Sequence, residues 1–191
     1  MATVLGVALG PDATVVEARA SDDGELISAA VVRHVDAGTD PDDPTTWWRS
    51  LTMAIARTGA RQVAAMAVTG SHPGLVLLDE AGVVLRPVQA WEGASAEVAR
   101  LRQALGPARW ARRAGTIPGA TTAITRLAWL RRTDPAAFRR IGTVLLPHDW
   151  LTYRLAGRPV TDRGTASCTG MWSPGAESWL GEAIELLVGP R

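Results

Sequence analysis

The chain has 191 residues, 47% of them hydrophobic and 20% charged, with a formal net charge of +1. That is the make-up of a soluble globular protein long enough for a substantial core, with no bulk field to favour nucleic acid or an anionic membrane. No apolar run approaches the roughly 20 residues of a membrane span, one cysteine (Cys168) excludes an internal disulfide, and all 20 basic residues are arginine, which excludes a Walker-type lysine or a Schiff base. In chain order, "VLGVALGPDATVVEARASDDGELISAAVVRH" holds three apolar runs, Val4 to Leu9, Ala13 to Ala18 and Leu26 to Val32. The links "GPD" and "SDDGE" are turn-formers, so three successive strands are expected. The strand pattern begins at once, with no basic leader, and a cytoplasmic protein is expected.

Asp43-Pro44 starts a helix with a cap and an early proline. Its apolar stripes are Trp47, Leu51, Ile55 and Trp48, Thr52, Ala56, and Gly59 ends it. Of Trp47 and Trp48, one ring is expected in the core and one on the surface. "VAAMAVTG" (Val63 to Gly70) reads as a buried strand, and "GLVLLDEAGVVLRPVQAW" as a hairpin with strands at Leu75 to Leu78 and Val83 to Val88. The second half is mostly helical. "SAEVARLRQALG" presents Val98, Leu101 and Leu105 on one face, and "PARWARRAG" is a short helix. "TTAITRLAWLRR" carries Ile124, Leu127 and Leu130, and a further helical turn follows Asp134-Pro135. "TVLLP" is a brief strand and "HDWLTYRLAG" a short helix. "RPVTDRGTASCTGMW" reads as a turn-rich segment, and the end starts one more helix. The arginine pairs 112–113, 131–132 and 139–140 read as solvated helix faces.

These segments, in this order and spacing, resemble the N-terminal domain of the FGGY-type carbohydrate kinases, and within them the xylulose kinases. The resemblance is carried by the three-strand start, "DDPTTWWRSL", "MAVTGSHPGLVLLDEAGVVLRPVQAWEG" and "LLPHDWLTYRLAGRPVTDRGTASCTGMW". It implies an α/β fold of the ribonuclease-H-like (actin-like ATPase) type, with a mixed β-sheet flanked by helices. It implies transfer of the γ-phosphate of ATP to a sugar hydroxyl with Mg²⁺, in a cleft between a sugar domain and a C-terminal ATP domain. Residues 1–191 would be the first domain, truncated before the family's catalytic aspartate, so neither a catalytic base nor a metal ligand is assigned in this chain. The expected function is the sugar-binding half of a xylulose-kinase-like enzyme, inactive in isolation. The alternatives are a non-catalytic pseudokinase module or gene remnant, and a kinase for gluconate, ribulose or glycerol. The expected partners are a pentulose, and either the missing ATP domain or a second copy of the chain.

The resemblance also places candidate site residues. The phosphate turn would span Gly6, Ala8, Gly10 and Asp12. The family has an aspartate where Ala8 stands, and threonine followed by threonine or serine where Pro11 and Asp12 stand. Alanine cannot orient Mg²⁺ through its waters, Pro11 has no N–H to donate, and Asp12 adds negative charge, so a structural hairpin is expected rather than a working phosphate turn. The sugar contacts would be Ser71, His72, Gly74, Trp91, Glu92 and Asp162. His72 ends a strand where α/β domains place ligand groups, and its other reading is a loop histidine beside a Pro-Gly turn. Trp91 with Glu92 offers an aromatic face and a carboxylate for hydroxyls, against core packing and a solvated loop. Asp162 either lines the cleft or caps the "TDRGTAS" loop, and capping is the expected role. Cys168 stands where the family has glycine and is expected to be a small buried residue.

Overall fold

The computed structural model describes residues 2–70, 74–85 and 94–189. The described chain divides into two compact units, one formed by 2–76 and 145–160 and the other by 77–85, 94–144 and 161–189. The expected hairpin strand at Val83 to Val88 runs partly outside the described residues, as do Ser71, His72, Trp91 and Glu92.

The first unit is built on a four-stranded mixed sheet of order β3-β2-β1-β4. Strands β1 (Thr3–Leu9), β2 (Ala13–Ala20) and β3 (Leu26–Arg33) form an antiparallel meander, and β4 (Val63–Gly70) lies parallel to β1. The alternation of apolar residues decides which face is covered. Leu5, Val7 and Leu9 of β1, Val16 and Ala18 of β2, and Ala30 and Val32 of β3 are buried. Helix α1 (His34–Ala37) follows β3, and α2 (Pro44–Thr58) packs on β2 and β3. The Asp43 carboxylate accepts from the Thr45 amide at 2.8 Å, Pro44 opens the first turn, and Gly59 closes the helix at a left-handed φ of 65°.

Of the two stripes expected on α2, one is in the core. Trp47, Ser50, Leu51 and Ala54 are buried, while Thr52 and Ala56 face solvent. Trp47 is fully buried and donates from Nε1 to the Pro41 carbonyl at 2.7 Å. Its ring meets Trp150 edge to face at 6.5 Å. Trp48 is half-buried beneath the Arg154 guanidinium, 4.8 Å from its ring centre. Trp150 and Arg154 belong to α7 (Pro147–Ala156), which packs on β4 and α2.

Strand β4 is a correction to the buried strand expected. Its side chains are exposed or half-buried throughout. Among the described residues β4 has one strand neighbour, β1, and stands at the edge of the sheet. A run of alanines was compatible with either position, because small side chains leave no periodic signal. The outer face of this sheet carries Val4, Gly6 and Ala8 of β1, Ala65, Ala67 and Thr69 of β4, and Ile27 and Val31 of β3, which are 53% and 56% exposed. Among its charges, Glu17 and Arg19 pair with each other at 2.8 Å, and Arg33 pairs with Asp36 at 3.0 Å.

The second unit is mainly helical. Strands β5 (Val76–Leu78) and β6 (Thr143–Leu145) pair, and a tight turn returns the chain from Leu78 to Val84. The Asp79 carboxylate holds that turn by accepting from the amides of Ala81 and Val83. Helices α3 (Ser95–Leu105), α4 (Pro107–Ala114), α5 (Ala123–Thr133) and α6 (Pro135–Arg139) follow the expected spans. On α3 the buried positions are Glu97 and Leu101 rather than a Val98–Leu101–Leu105 stripe. Glu97 is tolerated there because Arg132 donates to it at 2.6 Å and Arg100 at 3.3 Å. Burial alone pulls the Arg126 guanidinium of α5 below its ordinary basicity.

The segment read as turn-rich contains α8 (Arg163–Cys168), and β7 (Trp172–Ser173), β8 (Ser178–Trp179) and α9 (Gly181–Val188) follow. Cys168 is exposed, not buried as expected. Helix α8 turns Ala166 inward, and Cys168, two residues on, falls on the opposite side. No helix among the described residues is long and apolar enough to cross a membrane.

Candidate functional site

In the first unit the parallel pairing of β1 with β4 sets Leu9 beside Gly70, so the two strands end together. Ends of neighbouring parallel strands are where α/β folds place ligand groups. The opening hairpin leaves one of these ends, and residues 71–73, with Ser71 and His72, continue from the other. Gly74, where the described chain resumes, is buried. Helix α7 closes on the same place. A Cβ on Gly70 would lie 3.0 Å from His148 Cβ, 3.1 Å from the Leu9 carbonyl oxygen and 3.3 Å from Leu9 Cβ. Glycine therefore permits the close approach of β1, β4 and α7.

At the start of α7, His148 Nε2 lies 3.3 Å from Asp149 Oδ1, with both side chains largely buried. Sequence reading took this segment only as a short helix. The available signal was the pair of polar residues after Pro147, in a first turn that must sit against a strand end.

The opening turn is a two-residue hairpin. The Gly10 amide donates to the Ala13 carbonyl at 2.9 Å. The Pro11 carbonyl faces back onto His34 Nδ1 at 3.2 Å, and the Asp12 carbonyl accepts from the His34 amide at 2.8 Å. Gly6 and Ala8 lie on the exposed outer face of β1. The residues present do not fit a magnesium phosphate: the Gly10 N–H is spent on the chain itself, Pro11 offers none, and Ala8 supplies no oxygen. Among the described residues no group of three or more histidine, cysteine or acidic side chains is placed to hold a metal ion. Sequence reading missed His34, because a histidine just past a strand carries no periodic signal.

Asp162 stands in the second unit, exposed, at the start of α8. Its carboxylate accepts from the Thr165 amide at 2.8 Å and from the Thr165 hydroxyl. This is the expected capping geometry.

Comparison with known proteins places the chain. The model for the N-terminal domain of the FGGY family of carbohydrate kinases matches residues 20–188, beginning after the opening hairpin. A xylulose kinase from Streptomyces coelicolor is 39% identical over 168 residues, covering 84% of this chain and 35% of that protein. The Escherichia coli xylulose kinase is 32% identical, covering 80% and 33%. The crystal structure of xylulose kinase from Bifidobacterium adolescentis superposes with a TM-score of 0.84 at 27% identity, over 98% of this chain and 44% of that one. The fold is thus that of the actin-like sugar kinases, and the chain spans about a third of the length of these curated relatives. With the family match covering most of its residues, the chain belongs to the FGGY family of carbohydrate kinases and represents its N-terminal domain.

Proposed function

We propose that this chain is the sugar-binding part of a xylulose-kinase-like sugar kinase and takes a pentulose. The observation that carries the reading is the 39% identity to a xylulose kinase over 84% of the chain. The family match takes in Ser71, His72, Gly74, Trp91, Glu92 and Asp162, the proposed sugar contacts. ATP and Mg²⁺ would be engaged by the part of the relatives' length that this chain does not span. Phosphoryl transfer needs a positioned acceptor and compensation of charge on the transferring group. Residues 1–191 are therefore expected to show no sugar-dependent ADP release in a coupled assay, and turnover above a vector-only control would overturn this.

Calorimetry tests the binding half of the proposal. D-xylulose is expected to give a saturable heat that Trp91→Ala abolishes. Competition with D-gluconate, D-ribulose and glycerol in the same cell assigns the sugar class. The opening turn favours a second reading, a non-catalytic module, since Ala8, Pro11 and Asp12 replace the polar groups of a phosphate turn. Absence of heat with every sugar would select it.

The outer sheet face bears on partners under either reading. Exposed Ile27 and Val31 with rows of alanine and glycine make an apolar surface of the kind that associates. The isolated chain is expected to sediment with a concentration-dependent coefficient. A monomer throughout the range would count against an uncovered interface.

A further inference from the structure

The first unit has a cleft at the opposite end of its sheet from the junction of Leu9 and Gly70. Its volume is about 800 Å³, within the range of small-molecule sites. Strand β1 runs from Thr3 to Leu9, so roughly 20 Å of strand separates the two places. The cleft is lined by Thr3, Ala18, Ile27 and residues 58–62, which carry the chain from α2 to β4. Irregular backbone surrounds it. Ala64 is an extra residue opposite Thr3 and Val4, and Ile27 is an extra residue opposite Ala18 and Arg19. Gln62 adopts a left-handed φ of 54°. Bulges and left-handed non-glycine residues concentrate beside functional sites.

The polar side chains at this end are uncommitted. Arg61 is exposed and makes no ion pair or hydrogen bond among the described residues, and the Gln62 carboxamide makes none either. Thr3 is only 7% exposed, and its hydroxyl has no hydrogen-bond partner among the described residues. Buried hydroxyls are normally hydrogen-bonded, so this one is left for a molecule in the cleft.

We propose that the cleft binds a small monocarboxylic acid. The Arg61 guanidinium pairs with the carboxylate, the Gln62 amide and the Thr3 hydroxyl add donors, and Ala18, Ile27 and Ala60 take the hydrocarbon part. Charge decides against a phosphate. Among the lining residues Arg61 alone is charged. Thr58 and Gly59 form the C-terminal end of α2, where the helix dipole is negative. The turn between β2 and β3, at the same end of the sheet, carries Asp22, Asp23 and Glu25. One guanidinium in those surroundings offsets one negative charge, not two. None of the proposed sugar contacts lines the cleft, so the inference stands apart from the sugar reading.

The test is an NMR titration of residues 1–191 at constant ionic strength, following the backbone amides. Sodium butyrate, sodium benzoate and inorganic phosphate are the separate probes. A saturable shift is expected from the carboxylates at the amides of Thr3 and residues 59–62, with those of Leu9 and Gly70 unmoved. Phosphate at the same concentration is expected to move neither set. Arg61→Gln, which keeps the length and removes the charge, should weaken carboxylate binding about ten-fold. Thr3→Val, which keeps the shape and removes the hydroxyl, should weaken it several-fold. The absence of a saturable shift with both carboxylates overturns the proposal. So does phosphate binding as tight as theirs, or an affinity that Arg61→Gln leaves unchanged. If a variant does not fold, the wild-type titrations with the three probes decide.

Discussion

Trp47→Ala is expected to destabilise the first unit by about 3–5 kcal/mol, the range for removing a buried aromatic. Against a typical total of about 5–15 kcal/mol, that leaves little margin. The ring is fully buried between the sheet and α7, so truncation opens a cavity that strands on one side and a helix on the other cannot both close. Two further losses add to the cavity. The Pro41 carbonyl loses the indole donor at 2.7 Å, and Trp150 loses its edge-to-face neighbour. The neighbouring residue is the control. Trp48 is half-buried and interacts with the Arg154 guanidinium, a contact worth about 0.5–1 kcal/mol at an exposed site. Urea unfolding followed by circular dichroism should show a large fall in midpoint for Trp47→Ala and a small one for Trp48→Ala. Equal falls would refute the core assignment.

Much of this architecture was legible because the relevant signals are local. Asp43-Pro44 and Gly59 bound α2 as cap, first turn and left-handed stop. Glycines at 106, 115 and 157 likewise end α3, α4 and α7. What escaped depends on contacts between distant residues. Glu97 is buried because Arg132, 35 positions away, meets it. His34 is buried because Thr14 of β2 meets its ring, and Thr14 is in turn held by Ser50 of α2. Helix α8 was hidden by glycine, serine and threonine, which favour turns until a cap such as Asp162 starts a helix.

The candidate site divides the same way. Placement of its glycines followed from strand ends and turns, and Gly70 indeed sits where β1, β4 and α7 meet. At the opening turn, the sequence already shows that Ala8 lacks a carboxylate and Pro11 an N–H. The His148–Asp149 pair could not be read in advance, because its meaning comes from the strand end that α7 packs against. A site assembled at a junction is therefore legible in its backbone before it is legible in its side chains.

Gly170→Ala is expected to cost the second unit about 2–5 kcal/mol, from two separable sources. Gly170 adopts a φ of 76°, where a side chain costs about 1–2 kcal/mol. A Cβ there would also lie 2.9 Å from Ile124 Cγ2 and 3.1 Å from Thr122 Cγ2, an overpacking worth about 1–3 kcal/mol. The strand-like approach cannot relax freely, because the Ile124 amide donates to the Thr169 carbonyl at 3.0 Å and ties the end of α8 to the start of α5. Gly175→Ala is the control, since its φ is not in the left-handed region and its Cβ would meet nothing within 4 Å. That change should be near neutral. A mutant cycle in an Ile124→Ala, Thr122→Ser background separates the sources: with both methyls removed, the cost of Gly170→Ala should fall to the backbone part, about 1–2 kcal/mol. An undiminished cost would mean that the strain is all in the backbone. A cost near zero in the wild-type background would mean that α8 is free to move, together with the Asp162 that starts it.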